Sequence, residues 1–180
     1  VLDVGCGLAD LHAYLKKRKV AHQYHSSKIV PKMVEACRLK YPDIEVDGRT
    51  IFEFPARSFD WVVLSGALNL RGGVELGRWH RYAMSLVEQM YAVCRLGMSF
   101  NFLTTYNTFQ DPELGYFDPG VVLNRMLGLS RFVSVDHAYP LYECSVRVAT
   151  EECLKRQFPA PELDRYLNRK EIYEGDHSPG

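Results

Sequence analysis

The sequence predicts an α/β domain: an open, mainly parallel sheet with helices on both faces. Three stretches carry that expectation. Val1-Leu2-Asp3-Val4-Gly5-Cys6-Gly7-Leu8-Ala9-Asp10 passes from a short apolar run through two glycines into a helix. Phe59-Asp60-Trp61-Val62-Val63-Leu64 is a nearly continuous apolar run, as a parallel strand covered on both faces requires. Trp79, Tyr82, Ala83, Leu86, Val87, Met90, Tyr91 and Cys94 recur at three and four residues, which is helical spacing.

The elements follow in order. Val1 to Val4 reads as a buried strand, and Gly5 and Gly7 let the backbone turn sharply and approach a ligand. Asp10 opens a helix, with an N-cap role as the plainer reading of its carboxylate. His22 to Ser26 is the expected second strand. Pro31 suits the first turn of the next helix, whose buried face is Met33, Val34, Cys37 and Tyr41. Ile44 to Val46 and Phe59 to Leu64 are the third and fourth strands. Gly72-Gly73 breaks the chain before the long helix, and Gly97 is placed to end that helix. Met98 to Leu103 is the next strand, followed by a polar, aromatic, turn-rich loop from Thr104 to Asp118. A short helix around Val121 to Met126 precedes a hairpin of Phe132 to Val135 with Tyr142 to Ala149. A last short helix is expected from Glu162 to Lys170, with Gly175 to Gly180 frayed.

At 180 residues the chain is long enough for one domain with a substantial core. Lys plus Arg and Asp plus Glu are both 22, so no global field draws in nucleic acid or an anionic membrane. That leaves a small molecule or a protein as the expected partner. The five cysteines form no C-x-x-C pair and no metal-ligand spacing, so the expected setting is a reducing cytoplasm without a metal site. Cys6, inside the glycine turn, reads as a packing residue. No run is apolar enough to span a bilayer, and no secretory signal is visible.

The first turn also discriminates between ligands. A dinucleotide fingerprint places a third glycine where this chain has Asp10, and Asp3 flanks the turn as well. Two carboxylates repel a pyrophosphate and attract an ammonium or sulfonium. The corner therefore favours a cation-bearing nucleoside over a nicotinamide dinucleotide, although Lys28 offers that second class a contact for a ribose phosphate.

Leu2-Asp3-Val4-Gly5-Cys6-Gly7 resembles motif I (L-D-x-G-C-G-x-G) of the class I S-adenosylmethionine-dependent methyltransferases. Ile29-Val30-Pro31-Lys32-Met33-Val34-Glu35-Ala36 resembles the start of that family's second helix, and Phe59 to Gly66 its fourth strand. The resemblance covers residues 1–150 and leaves 151–180 as a polar extension. It implies a Rossmann-like, seven-stranded, mostly parallel sheet whose last strand is antiparallel. It also implies S-adenosylmethionine (SAM) as methyl donor and an acceptor, here expected to be a small molecule, above the strand ends. Family members usually carry a helical segment before the first strand, so the resemblance points to a fragment lacking it.

Carried over residue by residue, the resemblance places the cofactor on Asp3, Gly5, Cys6, Gly7, Ala9, Lys28, Ile29, Arg49, Ser65 and Gly66. Three of these depart from the family. Lys28 stands where an acidic residue usually accepts both ribose hydroxyls, Arg49 replaces the acid facing the adenine, and Ala9 replaces the third glycine. Three readings stay open: an enzyme with an altered ribose contact through Ser26, Ser27 or the backbone, a fold that has lost its donor, or a relative using an anionic cofactor variant.

Asn69 is a candidate to orient the acceptor. Tyr106, Phe109, Tyr116 and Phe117 could wall its pocket, with Asp111 or Asp118 as polar anchors. His25 is placed near the ribose, His137 is a weak candidate base, and His80 is expected to face solvent. No catalytic residue is assigned, because methyl transfer from a sulfonium needs alignment and only optionally a general base.

Overall fold

The computed structural model describes residues 1–167. Its elements are β1 (Leu2–Val4), α1 (Asp10–Lys17), β2 (His25–Ser27), α2 (Pro31–Lys40), β3 (Glu45–Asp47), β4 (Phe59–Leu64), α3 (Leu76–Val93), β5 (Cys94–Thr104), β6 (Tyr116–Phe117), α4 (Pro119–Leu127), β7 (Val133–Asp136), β8 (Glu143–Ala149), α5 (Glu151–Gln157) and α6 (Asp164–Leu167). The sheet runs β3-β2-β1-β4-β5-β8-β7, and the two-residue β6 pairs with β5 off that path. From β3 to β5 all neighbours are parallel, while β8 is antiparallel to both β5 and β7. Seven strands on the path with the last one reversed is the expected sheet. The eighth lies inside the loop of residues 104–118.

Strand alternation divides the packing. Leu2, Val4, Val62, Leu64, Met98, Phe100, Phe102, Cys144, Val146 and Val148 join Ala83, Leu86, Val87, Met90 and Val93 of α3 and Val122 and Met126 of α4 in one core. On the opposite face α2 contributes Val34 and Cys37 to a smaller cluster with Cys6 and Val46. The chain crosses from one side of β1 to the other between β3 and β4. That crossover is a topological switch point at the ends of β1 and β4, the place where ligands bind in open α/β sheets.

Several local expectations are corrected. Gly97 does not end α3: the helix runs straight into β5, and Gly97 lies within that strand. A Cβ there would stand 2.6 Å from the Trp61 ring and 2.7 Å from the Val148 carbonyl, so glycine is required by the indole of the neighbouring strand. Asp10 is not a cap either. Ala9 holds the N-cap position of α1 in a left-handed conformation, and Asp10 faces outward to Lys40 at 3.2 Å. The helix α5 was missed because it is short and charged; Thr150 caps it and Cys153 is its buried residue. The expected final helix is seen only as Asp164–Leu167; its remainder to Lys170, and Gly175 to Gly180, lie outside the described residues.

Gly97→Ala is expected to lower stability by about 1–3 kcal/mol through overpacking. Gly48→Ala, where nothing lies within 4 Å of the added carbon, should stay within about 0.5 kcal/mol of the parent. Urea unfolding midpoints measure both.

Candidate cofactor and acceptor site

The turn after β1 is held in a conformation few sequences adopt. Gly5, Gly7 and Ala9 have φ of 68°, 56° and 59°. The Gly5 amide continues the ladder to Ser27 at 2.9 Å, and the Gly7 and Ala9 amides close tight turns onto Gly5 and Cys6. A Cβ on Gly5 would press against Ala67 at 2.9 Å, so this turn and the segment after β4 lie in contact. Over Gly7 nothing lies within 4 Å of such an atom, which leaves an open approach to the backbone. Beside it, Ser65 and Gly66 are exposed at the end of β4, and Gly66 has φ 73°.

The carboxylates set beside this turn by the sequence do not face it. Asp3 is 4% exposed and accepts a hydrogen bond from the Tyr24 hydroxyl. Burial pushes its carboxyl up to about 6, against the pull of Tyr24 and Lys28. Burial also pushes the Tyr24 hydroxyl up, as does the adjacent Asp3 carboxylate. The Asp10 side chain is 87% exposed.

The charged group on the turn is instead Lys28, 8% exposed at the end of β2. Its ammonium donates to the Gly7 carbonyl at 2.6 Å. The Cys37 thiol donates to the same oxygen at 3.2 Å, and Lys40 donates to the Leu8 carbonyl at 3.2 Å. The electrostatic argument from Asp3 and Asp10 is therefore corrected: one carboxylate is buried on a tyrosine, the other ion-paired at the surface.

Arg49 folds back on Asp47, with its Nε at 2.8 Å and Nη2 at 2.6 Å from one carboxylate oxygen, and its guanidinium lies over Phe54. Those bonds hold the Asp47 carboxyl down at about 2. Ile29 is exposed on the rim. Burial pushes the Cys6 thiol up, in keeping with a packing role. His25 is not at the turn; it pairs with Leu2 at the incoming end of the sheet, between Glu45 at 2.9 Å and the Phe54 and Phe59 rings.

The acceptor candidates separate. Tyr106 is 67% exposed and Phe109 is also exposed, both on the loop after β5. Tyr116 is only 9% exposed, and its hydroxyl accepts the Asp111 amide at 2.9 Å, so it braces the loop rather than walling an open pocket. Phe117 is buried too, and Asp118 caps α4. His80 does not face solvent: its Nε2 meets the Tyr116 carbonyl at 2.8 Å and its ring lies on Phe117. His137 is exposed.

Asn69 donates to Glu143 at 2.9 Å, and Asn101 donates to the other oxygen of that carboxylate at 2.9 Å while accepting the Gly66 amide at 2.7 Å. Sequence reasoning missed Asn101 and Glu143. The alternation of Ser99 and Asn101 with Met98, Phe100 and Phe102 was the available signal for a polar strand face.

Hollows open at the far end of the sheet. One of about 910 Å³ is lined by Arg57, Ser130 and Thr150, and one of about 1150 Å³ by His12, Tyr24 and Arg95. Neither includes the glycine turn. Among the described residues there is no cluster fit to hold a metal ion, and no helix is long and apolar enough to cross a membrane.

Fold and turn together define the class. A family model described as a methyltransferase domain matches residues 2–71. The "Putative methyltransferase Rv1506c" of Mycobacterium tuberculosis is 30% identical over 154 residues, covering 81% of this chain and 90% of that protein. The magnesium protoporphyrin IX methyltransferase of Synechocystis PCC 6803, solved with S-adenosylhomocysteine (SAH), superposes with TM-score 0.64 at 12% identity. That match spans 82% of this chain and 72% of the other. Human N-acetylserotonin methyltransferase, solved with SAM, gives TM-score 0.59 at 14% identity over 82% of this chain and 46% of its own. This chain belongs to the class I SAM-dependent methyltransferase family.

Asp3 yields a test by pH. Its folded carboxyl holds a proton more tightly than the unfolded chain, whose value is near 3.8. Stability from this residue is therefore fully present below about pH 4, falls as pH rises to about 6, and is level above. Asp3→Asn should remove that slope, a difference of up to about 3 kcal/mol between pH 4 and pH 7. Urea unfolding of both proteins across that range measures it.

Proposed function

We propose that this protein transfers a methyl group from SAM to a small-molecule acceptor, with the donor seated on the turn of Gly5, Gly7 and Ala9. The observation that carries this reading is the open backbone over Gly7, in contact through Gly5 with the segment after β4. SAM supplies a methyl carbon already activated by its sulfonium. This chain's residues have to hold donor and acceptor in line and exclude water.

In this reading the ribose contact is reversed in polarity. A carboxylate would accept from both hydroxyls, whereas the Lys28 ammonium has three N–H donors, of which one goes to Gly7, leaving two for hydroxyl oxygens. Arg49, neutralised by Asp47, presents no free charge to the adenine edge. The acceptor lies beyond β4 and β5, bounded by Asn69, Tyr106 and the rim of the loop of residues 104–118. Small acceptors are named for two of the structural neighbours, a porphyrin and N-acetylserotonin. Five free, buried cysteines suit a reducing, cytoplasmic setting.

A second reading has its own support. The Lys28–Gly7 bond places a cation on the cradle of a cationic ligand, as a fold that binds without transferring would tolerate.

SAH should raise the melting temperature with the logarithm of its concentration once that exceeds Kd, and NADPH should not. A shift with NADPH alone would contradict the proposal. Lys28→Ala removes the ribose donors, a charged contact worth ~1.5–3 kcal/mol, so calorimetry should show SAH bound about tenfold to a hundredfold less tightly. SAM should lose less than SAH, because its sulfonium is also relieved of a nearby cation.

A further inference from the structure

We propose that the methyl acceptor bears an amine and that Glu143 receives it. The proposal rests on the methyl-transfer reading and names the substrate class for the same site. Glu143 opens β8 opposite Leu103, at the outgoing end of β5. Each carboxylate oxygen accepts one amide N–H, from Asn69 and Asn101, both at 2.9 Å. Asn101 also holds the Gly66 amide at 2.7 Å, which fixes the carboxylate relative to the turn ending β4. The group is thus aimed before any ligand arrives.

Two neutral amides orient this charge without cancelling it. Among the described residues no Lys, Arg or His lies within ion-pair distance of Glu143. A half-buried carboxylate lacking a counter-ion is costly, and each of its oxygens keeps an unused lone pair. Asn69 Oδ1 is enclosed with no donor, so the cluster holds acceptors in excess of donors. An ammonium supplies both deficits, charge and several N–H groups. A hydroxyl supplies one donor and no charge, and a carboxylate or phosphate is repelled.

The rim specifies the rest of the molecule. Tyr106, Phe109, Leu141 and Tyr142 are exposed on two segments that the Thr108–Tyr142 hydroxyl contact joins at 2.6 Å. Together they suit an apolar or aromatic body behind the amine. The bound ammonium first gives one proton to solvent water, and the freed nitrogen lone pair then forms the new C–N bond while the C–S bond breaks and its electron pair stays on sulfur. Positive charge passes from sulfur to nitrogen, and Glu143 faces the nitrogen that acquires it. With that proton gone, the displacement itself needs no further proton transfer.

Protein saturated with SAH is titrated by calorimetry with phenethylamine and with phenethyl alcohol. The amine should bind at least tenfold more tightly than the alcohol. Glu143→Gln should lose at least tenfold in amine affinity while SAH and alcohol binding stay unchanged. Glu143→Asp, which keeps the charge, should retain the amine preference and so separates charge from folding. Equal affinity for amine and alcohol, no amine binding at millimolar concentration, or full amine affinity in Glu143→Gln would overturn the proposal. Failure of the parent protein to bind SAH would overturn the underlying reading and this one with it, whereas SAH binding with indifference to the amine overturns this one alone.

Discussion

The Gly7 carbonyl is the point on which the candidate site depends. A backbone turning left-handed at Gly5, Gly7 and Ala9 has little intrinsic stability, since ordinary residues avoid that region. Here it is pinned by Lys28 from β2 and by Cys37 from α2, both donating to one oxygen. The same turn is in contact with the segment after β4 through the absent side chain of Gly5. A single carbonyl thus ties the turn after β1 to the end of β2 and to α2, at the crossover where open α/β sheets bind ligands.

That arrangement explains why Lys28 can stand where the family usually has an acid. A lysine at 8% exposure has to find an acceptor, and the Gly7 oxygen is the one within reach. In the proposed reading the substitution changes the polarity of the ribose edge and leaves the turn intact. Arg49 follows the same logic at β3, where Asp47 absorbs its charge and Phe54 its planar face. Both basic departures are therefore built into the fold.

Most of the sheet was legible because its signals are local. The apolar run of Phe59 to Leu64 is a strand with those bounds, and the glycines after β1 turn where they stand in the sequence. What misled was what local pattern cannot carry. Gly97 reads as a helix stop, and only the Trp61 ring on the neighbouring strand shows why a strand needs a glycine there. Asp3 and Asp10 sit beside the turn in sequence, yet strand alternation and helix phase carry one inward to Tyr24 and the other out to Lys40. Tyr116 and Phe117 read as pocket walls because aromatic loop residues often are; pairing of β6 with β5 buries them. Glu143 was invisible because its partners are 74 and 42 residues away.

Under the proposed function the donor nucleoside lies on the pinned turn rather than in the hollows at the other end of the sheet. Amide-resolved NMR during a titration with SAH tests this directly. The largest shifts are expected at Gly5, Gly7, Lys28 and Gly66. Shifts concentrated around Arg57, Ser130 and Thr150, with the turn unmoved, would contradict it.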